Sequence, residues 1–243
     1  MHDLGICVIP AKAGSSRLPY KNFRQFYGEY NLTELAILFA VKVGFDEIYV
    51  SSEDEGKILS IDQFLKSKGL KNVVADLRPS ELAHDPATVK DVVIDILEKY
   101  NPVNSITRAD TVTVILPTSP LNDVDCVKRG LLLSRDNPKS RILSVSKNSK
   151  PPFNSWSFLA NNSLIMENTF RDSHYAKTQS TRCPDTYMSN GCFSIWKIDD
   201  RNSLIEETTV GIAMPALAAV DIDTELEFLV AQFLYKKFAA SNS

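Results

Sequence analysis

The chain has 243 residues, a formal net charge of −3 and a sequence pI of about 5.7. This length fits a single large α/β domain (residues 1–243), which we expect, or else two small domains. The slight negative charge argues against a nonspecific nucleic-acid binder, which needs clustered cations. Four cysteines without a CxxC pair indicate neither a disulfide framework nor a zinc site. No basic leader and no long apolar run is present, so we expect a cytoplasmic protein without a membrane partner.

Strand-like and helix-like patterns alternate along the first 147 residues. Residues 5–10 (GICVIP) form a short apolar run typical of a strand buried on both faces. Further strands are predicted at residues 46–51, 73–75, 111–116 and 141–146. Helices are predicted at residues 32–43, 54–68, 88–100 and 124–134. This alternation predicts a Rossmann-like α/β fold with a mostly parallel central sheet, whose ligands lie at the carboxyl ends of the strands.

The pattern changes after residue 147. Residues 148–187 contain short segments separated by Pro, Asn and Asp, which we interpret as a small inserted, hairpin-like lobe. Residues 192–198 (CFSIWKI) return to a strand pattern, and residues 224–240 form an amphipathic terminal helix. The sequence therefore predicts one domain interrupted by one lobe.

A loop of small and cationic residues follows the first predicted strand. Its members are Ala11, Lys12, Ala13, Gly14, Ser15, Ser16, Arg17, Leu18, Pro19, Tyr20, Lys21 and Asn22. Small residues let backbone N–H groups approach phosphate oxygens, and the cations offset phosphate charge. The spacing matches neither GxxxxGK[ST] nor GxGxxG, which disfavours P-loop and dinucleotide redox chemistry. The loop is predicted to bind a polyphosphate; a solvated surface loop is the alternative.

An acidic pair lies near the end of the sequence. Asp221 and Asp223 flank one residue, so on an extended backbone both carboxylates point to the same side and can share a hard cation. Magnesium (Mg²⁺) is the expected ion, because it takes oxygen ligands and neutralises charge on phosphates. The alternative is that Asp223 caps the terminal helix.

Four motifs, in order, resemble those of the CMP-sugar-acid synthetases, which include the acylneuraminate cytidylyltransferases. The first, IPAKAGSSRLPYKN, is similar to that family's IPAR-x-GS-x-R-x-P-x-KN. Residues 78–85 (RPSELAHD), 116–121 (LPTSPL) and 221–226 (DIDTEL) are similar to RPAELA-x-D, QPTSPL and DIDT. The resemblance implies a GT-A-type nucleotidyltransferase fold, CTP and a 2-keto sugar acid as substrates, and a homodimer formed through the lobe.

The resemblance also implies a role for individual residues. Lys21 lies on the phosphates, Asn22 orients the nucleotide, and Arg78 reads the cytosine with the backbone near Ala87 and Thr88. The implied catalytic residues are Arg17, Lys21, Asp221 and Asp223, of which the two aspartates are also the metal ligands. The implied sugar-binding residues are Leu116, Thr118, Ser119, Arg182, Tyr187, Asn190 and Gly191.

Three of these positions carry an open question. Arg182 suits a sugar carboxylate because its guanidinium binds bidentately, but it equally suits a lobe or subunit contact. Lys12 stands where the family has Arg and loses the planar fork of donors. Leu116 stands where the family commonly has Gln, which favours a different nonulosonic acid or a 3-deoxy-octulosonate-type acid in a more apolar pocket.

The sequence thus predicts a cytidylyltransferase. The anomeric hydroxyl of a 2-keto sugar acid, an N-acylneuraminate or a related nonulosonic acid, attacks the α-phosphorus of CTP and releases pyrophosphate. No dedicated general base is identified. Two alternatives stay open: a GT-A glycosyltransferase, although its DxD normally follows a mid-chain strand, and a catalytically weak nucleotide-sugar binding protein, which Lys12 and Leu116 favour.

Overall fold

The first predicted strand lies inside the main sheet. In the computed structural model, which describes residues 4–15, 17–103, 105, 109–150, 152–158, 164–166 and 174–239, β1 spans Ile6–Pro10. It pairs in parallel with β4 (Glu47–Ser52) on one side and β6 (Thr111–Ile115) on the other. β5 (Val73–Leu77) pairs in parallel with β4. These pairings confirm the parallel sheet that the alternating pattern predicted.

Five helices accompany the sheet within the described residues. They are α1 (Leu32–Val43), α2 (Glu55–Lys68), α3 (Val89–Tyr100), α4 (Val124–Asp136) and α5 (Glu225–Ala239). α1 begins with a capping box in which Asn31 and Glu34 satisfy each other's backbone N–H groups, and it ends at Gly44, whose φ of 102° suits glycine. The helix positions predicted from sequence are therefore confirmed.

The second half of the sheet departs from the predicted pattern. β10 (Tyr187–Ile198) begins five residues before the predicted strand and runs antiparallel between β6 and β7 (Ser140–Lys147). Two further strands were not predicted: β11 (Leu204–Ile205), which pairs with β10, and β12 (Thr208–Ala213), which pairs in parallel with β7. The order across the sheet is β12, β7, β10, β6, β1, β4, β5.

Two short strand pairs complete this inventory. β2 (Gln25–Tyr27) and β3 (Tyr30–Asn31) form an antiparallel pair just before α1. Within the predicted lobe, β8 (Trp156–Phe158) pairs antiparallel with β9 (Leu164–Met166). No helix among the residues described is long and apolar enough to cross a membrane.

Apolar residues on the two faces of the sheet belong to two different clusters. Along β1, Cys7 and Ile9 pack with α1, α2 and α4, whereas Ile6 and Val8 pack with α3. A third cluster lies outside the sheet and joins the loop after β1 to the C-terminal segment. Its fully buried members include Leu32 of α1, Ile222 and, with 1% exposure, Phe228 of α5. This third cluster positions the candidate site.

Candidate active site

The basic loop and the acidic pair, about 200 residues apart in sequence, meet in the structure. Nζ of Lys21 lies 2.9 Å from Oδ1 of Asp223 and donates a 2.7 Å hydrogen bond to the carbonyl of Ile222. Nη1 of Arg17 lies 2.7 Å from Oδ2 of Asp223. Burial of Ile222 in the third cluster fixes the segment between the two aspartates against the loop. The predicted association of loop and acidic pair is therefore present.

Asp223 does not cap the terminal helix. The capping oxygen is that of Thr224, whose Oγ1 accepts the backbone N–H of Glu227 at 3.3 Å. The Glu227 carboxylate in turn accepts the backbone N–H groups of Asp223 and Thr224 at 2.9 and 2.8 Å. This reciprocal capping box leaves the Asp223 carboxylate to face the two loop cations. The alternative reading of Asp223 as an N-cap is wrong.

Asp221 is the more buried of the two carboxylates. Burial raises the pKa of its carboxyl, and hydrogen bonding to the Thr118 side chain only partly opposes that effect. Its Oδ1 is buried and, among the described residues, has no hydrogen-bond partner. A buried carboxylate oxygen without a partner is costly unless a cation or donor reaches it. This orphaned oxygen fits a hard cation such as Mg²⁺.

The protein alone supplies few ligands for such an ion. No group of three or more His, Cys, Asp or Glu side chains able to hold a metal occurs in the part of the chain that the structure describes. Asp221 and Asp223 would therefore share the ion with phosphate oxygens and water, as magnesium usually does in phosphate sites. The chemistry of this donor set agrees with the predicted ion, and the assignment stays a prediction.

Hydrogen bonds that involve its backbone hold the first loop in place. The N–H of Ala11 donates to the carbonyl of Ser51 at 2.8 Å, and Nδ2 of Asn22 donates to the carbonyl of Lys12 at 2.9 Å. Oδ1 of Asn22 is buried without a hydrogen-bond partner among the described residues. The side chains of Lys12 and Arg17 are exposed. Ser16, also predicted to bind the nucleotide, lies outside the described residues.

One acidic residue in this region was missed by the sequence reasoning. Oε1 of Glu53 accepts the backbone N–H groups of Ala13 and Gly14 at 2.8 and 3.3 Å. Its Oε2 lies 2.7 Å from Nη2 of Arg78. Glu53 therefore connects the loop to the residue predicted to read the base. Its position directly after β4, at the carboxyl edge of the sheet where ligands lie, could have indicated this residue from sequence.

Arg78 is almost fully buried, with 4% exposure. Its Nη1 donates to the carbonyl of Ser51 at 3.1 Å, and burial lowers the pKa of its guanidinium while Glu53 opposes that change. Its Nε has no hydrogen-bond partner within the described ranges. Base reading by Arg78 stays a prediction, and the free Nε–H is the donor with which it would act.

A cavity of about 440 Å³ opens beside the acidic pair. Its lining residues are Thr88, Val89, Lys90, Val114, Leu116, Arg141, Leu143, Ser189, Gly191, Phe193, Ser194 and Trp196. Gly191 marks the end next to the aspartates: it has a φ of +70°, and a Cβ there would lie 3.1 Å from Oδ2 of Asp221 and 3.6 Å from Cδ1 of Leu116. Three predicted residues, Thr88, Leu116 and Gly191, therefore share this cavity.

The other predicted sugar-binding residues do not line it. Thr118 and Ser119 are buried, and the Thr118 carbonyl accepts the N–H of Ile222 at 3.0 Å. Asn190 directs its amide to β7, where it accepts from Oγ of Ser144 at 2.6 Å and donates to Oγ of Ser146 at 3.0 Å.

Two further predicted sugar-binding residues, Arg182 and Tyr187, are exposed. Ala87, predicted on the nucleotide side, donates its N–H to the carbonyl of His84. Their roles stay predictions.

No protein-family model matches the chain. Over 237 residues it is 27% identical to a pseudaminic acid cytidylyltransferase of Campylobacter jejuni, covering 95% of this chain and 96% of the relative. Over 236 residues it is 29% identical to a CMP-N,N'-diacetyllegionaminic acid synthase of Legionella pneumophila, covering 94% and 95%. Over nearly its whole length the chain is thus similar to a sugar-acid cytidylyltransferase and a CMP-sugar-acid synthase. A third homologue, an N-acylneuraminate cytidylyltransferase of Streptococcus agalactiae, is 24% identical over 92% of this chain and 51% of its own length.

Solved structures agree on the fold. A CMP:2-keto-3-deoxy-manno-octonic acid synthetase complexed with CTP matches with a TM-score of 0.65 and 16% identity, covering 96% of this chain and 98% of the other. A 4-diphosphocytidyl-2C-methyl-D-erythritol synthase from Anaerococcus prevotii matches with a TM-score of 0.60, 12% identity and 96% coverage of both chains. The predicted nucleotidyltransferase fold is confirmed.

Proposed function

We propose that this chain is a CTP-dependent cytidylyltransferase that transfers CMP to the anomeric hydroxyl of a 2-keto nonulosonic acid. The observation that carries the proposal is the cluster of Arg17 and Lys21 on Asp223, with Asp221 at the edge of a cavity large enough for a sugar. Cations for a polyphosphate, carboxylates for a metal ion and a space for an acceptor thus adjoin one another. The homologues named above support a CTP-dependent nucleotidyltransferase.

The loop residues would bind and orient the triphosphate. Arg17 and Lys21 are fixed at 2.7 and 2.9 Å from Asp223, so their positions are set before the nucleotide arrives. Preorganised cations stabilise charge that develops on the phosphates without reorganising during the reaction. Lys12 is exposed on the same loop and adds a third positive charge. These side chains would draw the β- and γ-phosphates toward the loop and leave the α-phosphorus facing the cavity.

The transfer itself is a substitution at the α-phosphorus. The anomeric oxygen of the acid forms a bond to phosphorus, the bond to the pyrophosphate oxygen breaks, and the hydroxyl proton is released. A magnesium ion bound by Asp221 and Asp223 would supply Lewis-acid stabilisation of the phosphate oxygens. Gly191 lines the cavity, and a Cβ on it would lie 3.1 Å from Oδ2 of Asp221, so the cavity adjoins that carboxylate. An acceptor in the cavity can therefore reach a phosphate held at the aspartates.

The cavity lining suits an acceptor that carries apolar groups, and the relatives favour a nonulosonic acid among such acceptors. Leu116 contributes an apolar side chain where a hydrogen-bonding residue was expected, and Val114, Leu143 and Trp196 add further apolar surface. The homologues are named for pseudaminic, N,N'-diacetyllegionaminic and N-acylneuraminic acids, so acids of this class are the acceptors to test first. A homodimer formed through the lobe at residues 148–187 belongs to the same proposal. No observation favours a glycosyltransferase.

A pyrophosphate-release assay tests the proposal. CTP, UTP, ATP and GTP are each combined with a panel of 2-keto sugar acids and magnesium. We expect pyrophosphate only with CTP and only when a nonulosonic acid is present, and we expect Asp221→Asn to abolish it. Absence of pyrophosphate with every nucleotide and acid would contradict an enzymatic role, and CTP binding in calorimetry without turnover would favour a binding protein instead.

A further inference from the structure

The terminal helix α5 presents an apolar stripe to solvent. Its four members are Leu226, Leu229, Val230 and Phe233, which are 71%, 53%, 46% and 67% exposed. They follow one another at intervals of three, one and three residues, so they lie on one face of the helix. Apolar residues scattered singly over a surface are ordinary, but four on one face form a contiguous patch, which marks an interaction site.

The stripe belongs to a helix that is firmly packed on its other side. Phe228 and Ala231 of α5 are 1% and 0% exposed within the third cluster. Nε2 of Gln232 donates a 2.7 Å hydrogen bond to the carbonyl of Phe26 in β2. Because these contacts fix the helix on the domain, the stripe is a surface of defined shape.

Opposite charges lie at the two ends of one flank of the stripe. Glu225 is in the first turn of α5, and Lys236 is in its last turn, eleven residues later. Eleven residues make about three turns of a helix, so both side chains lie on the same flank. The Glu225 side chain pairs with Arg24 and is still 52% exposed, and Lys236 is exposed. Two such helices packed antiparallel bring Glu225 of each copy beside Lys236 of the other.

The same antiparallel arrangement brings the apolar residues together. The middle of the stripe lies between Leu229 and Val230, so a twofold axis at that level places Leu226 of one copy opposite Phe233 of the other. The middle of the charged flank lies within one residue of that level. A parallel pair would set like charges against each other. The apolar and the charged residues therefore agree on one register, and the stripe is self-complementary, as a twofold interface requires.

The surface is large enough for a specific interface. At these exposures the four apolar side chains hold about 400 Å² of accessible surface, within the range of the largest patch on a typical monomer. A groove that Leu229 and Phe233 line on one side, and Phe26 and Tyr27 on the other, gives side chains of a second copy a place to enter. With the flanking residues, two copies would bury more than about 1,000 Å², the lower limit for a specific protein interface.

We infer that α5 is a self-association surface, on which a second copy of this chain packs antiparallel about a twofold axis between Leu229 and Val230. The surface uses residues other than those of the lobe at residues 148–187, so a chain that also pairs through the lobe would form a tetramer. The inference goes beyond the proposed function and does not depend on the reaction.

Sedimentation velocity at rising protein concentration tests the pairing. Phe233→Glu should halve the particle mass wherever the unmodified chain is associated, because it sets a charge in the stripe. Leu59→Glu is the matched control: Leu59 is 62% exposed, close to Phe233, but lies on α2, and its substitution should leave the mass unchanged. Lys236→Glu replaces two opposite-charge contacts by two like-charge contacts and should weaken association about 2- to 30-fold.

Cysteine cross-linking tests the register. Cys183→Ser serves as the background, because the other three native cysteines are buried. Val230→Cys should form a disulfide-linked dimer, since its two copies meet near the axis. Leu226→Cys should not, since its two copies lie about 10 Å apart along the helices, beyond the reach of a disulfide. A mixture of Leu226→Cys and Phe233→Cys proteins should cross-link.

Three results overturn the inference. The first is a mass that Phe233→Glu leaves unchanged, and the second is a Leu226→Cys protein that cross-links as well as Val230→Cys. The third is a monomeric unmodified chain that floats with vesicles of phosphatidylcholine and phosphatidylglycerol and loses this binding in Phe233→Glu, which would assign the stripe to a lipid surface. Pyrophosphate release is measured separately, so failure of the pairing and failure of the proposed function are distinguishable.

Discussion

Asp223→Asn is predicted to have opposite effects on CTP binding in the absence and in the presence of a metal ion. The Asp223 carboxylate holds Arg17 at 2.7 Å and Lys21 at 2.9 Å, and these are the cations expected to bind the triphosphate. A nucleotide arriving without a metal ion has to compete with Asp223 for both of them. Asparagine keeps the size of the side chain but removes its charge. Metal-free CTP should therefore bind more tightly to the variant.

The size of this effect follows from the exposure of the pairs. The side chains of Arg17 and Asp223 are 66% and 28% exposed, and that of Lys21 is 12% exposed. Partly exposed ion pairs contribute about 0.2–1 kcal/mol each, so losing both pairs gives about 2- to 30-fold tighter metal-free binding. With magnesium the effect on CTP affinity reverses: the variant should bind CTP more weakly, because it lacks a charged ligand for the ion. Its turnover should fall at least about 100-fold.

Isothermal titration calorimetry of CTP, first in EDTA and then in magnesium chloride, measures both effects. Glu225→Gln is the matched control, since Glu225 pairs with Arg24 and not with the two cations that hold Asp223. The reasoning is refuted if Asp223→Asn binds CTP more weakly than the unmodified protein in EDTA. It is also refuted if magnesium increases CTP affinity equally in both proteins.

Four further substitutions follow from the site. Burial raises the pKa of the Asp221 carboxyl above its ordinary value, so ionisation of this group destabilises the fold. Asp221→Asn should therefore unfold at a higher temperature than the unmodified protein at pH 7.5 in EDTA, and the difference should shrink as the pH falls through the raised pKa and disappear below the ordinary pKa of an aspartate. Glu53→Gln leaves the buried Arg78 guanidinium without its ion-pair partner and should cost about 3–5 kcal/mol in urea unfolding. Gly191→Ala should cost about 1–2 kcal/mol for its left-handed φ and should lower kcat by displacing Asp221. Leu116→Gln should shift kcat/KM several-fold toward hydroxylated acids, because it adds a hydrogen-bonding group to the cavity.

Each of these expectations has a contrary result. A lower unfolding temperature for Asp221→Asn at pH 7.5 would mean that the carboxylate is stabilised by its surroundings. A cost below about 1 kcal/mol for Glu53→Gln would mean that water reaches Arg78. An unchanged kcat in Gly191→Ala would mean that this glycine does not affect the position of the reacting groups. An unchanged ratio of kcat/KM values between acceptors in Leu116→Gln would mean that the sugar does not bind beside Leu116.

The loop and the acidic pair could be predicted because each is a short segment whose residue types alone indicate the ligand. Small residues with Arg17 and Lys21 after a buried strand, and Asp221 and Asp223 at alternate positions, each specify a type of ligand without the rest of the fold. The packing of Ile222 that brings them together is a tertiary contact. The capping role of Thr224 could not be predicted from sequence, because Asp223 is an equally good capping residue by type.

The part of the cavity that β7 and β10 line depends on the order of the strands in the sheet and could not be predicted from sequence. A hydrophobic pattern marks β10 as a strand but does not state its direction or its neighbours, and β12 is a largely exposed edge strand with a weak pattern. Arg141 and Glu206 meet only because β12 pairs with β7. Glu53 was missed because an acidic residue before a helix is usually solvated.

Phosphorus NMR of the product tests the central claim most directly. The acceptor acid carries ¹⁸O in its anomeric hydroxyl, and the reaction contains CTP and magnesium. The account predicts a CMP-sugar whose phosphorus signal shows the isotope shift of a bridging ¹⁸O, together with unlabelled pyrophosphate. A CMP-sugar without the label, a labelled pyrophosphate, or CTP left unchanged with every nonulosonic acid would contradict it.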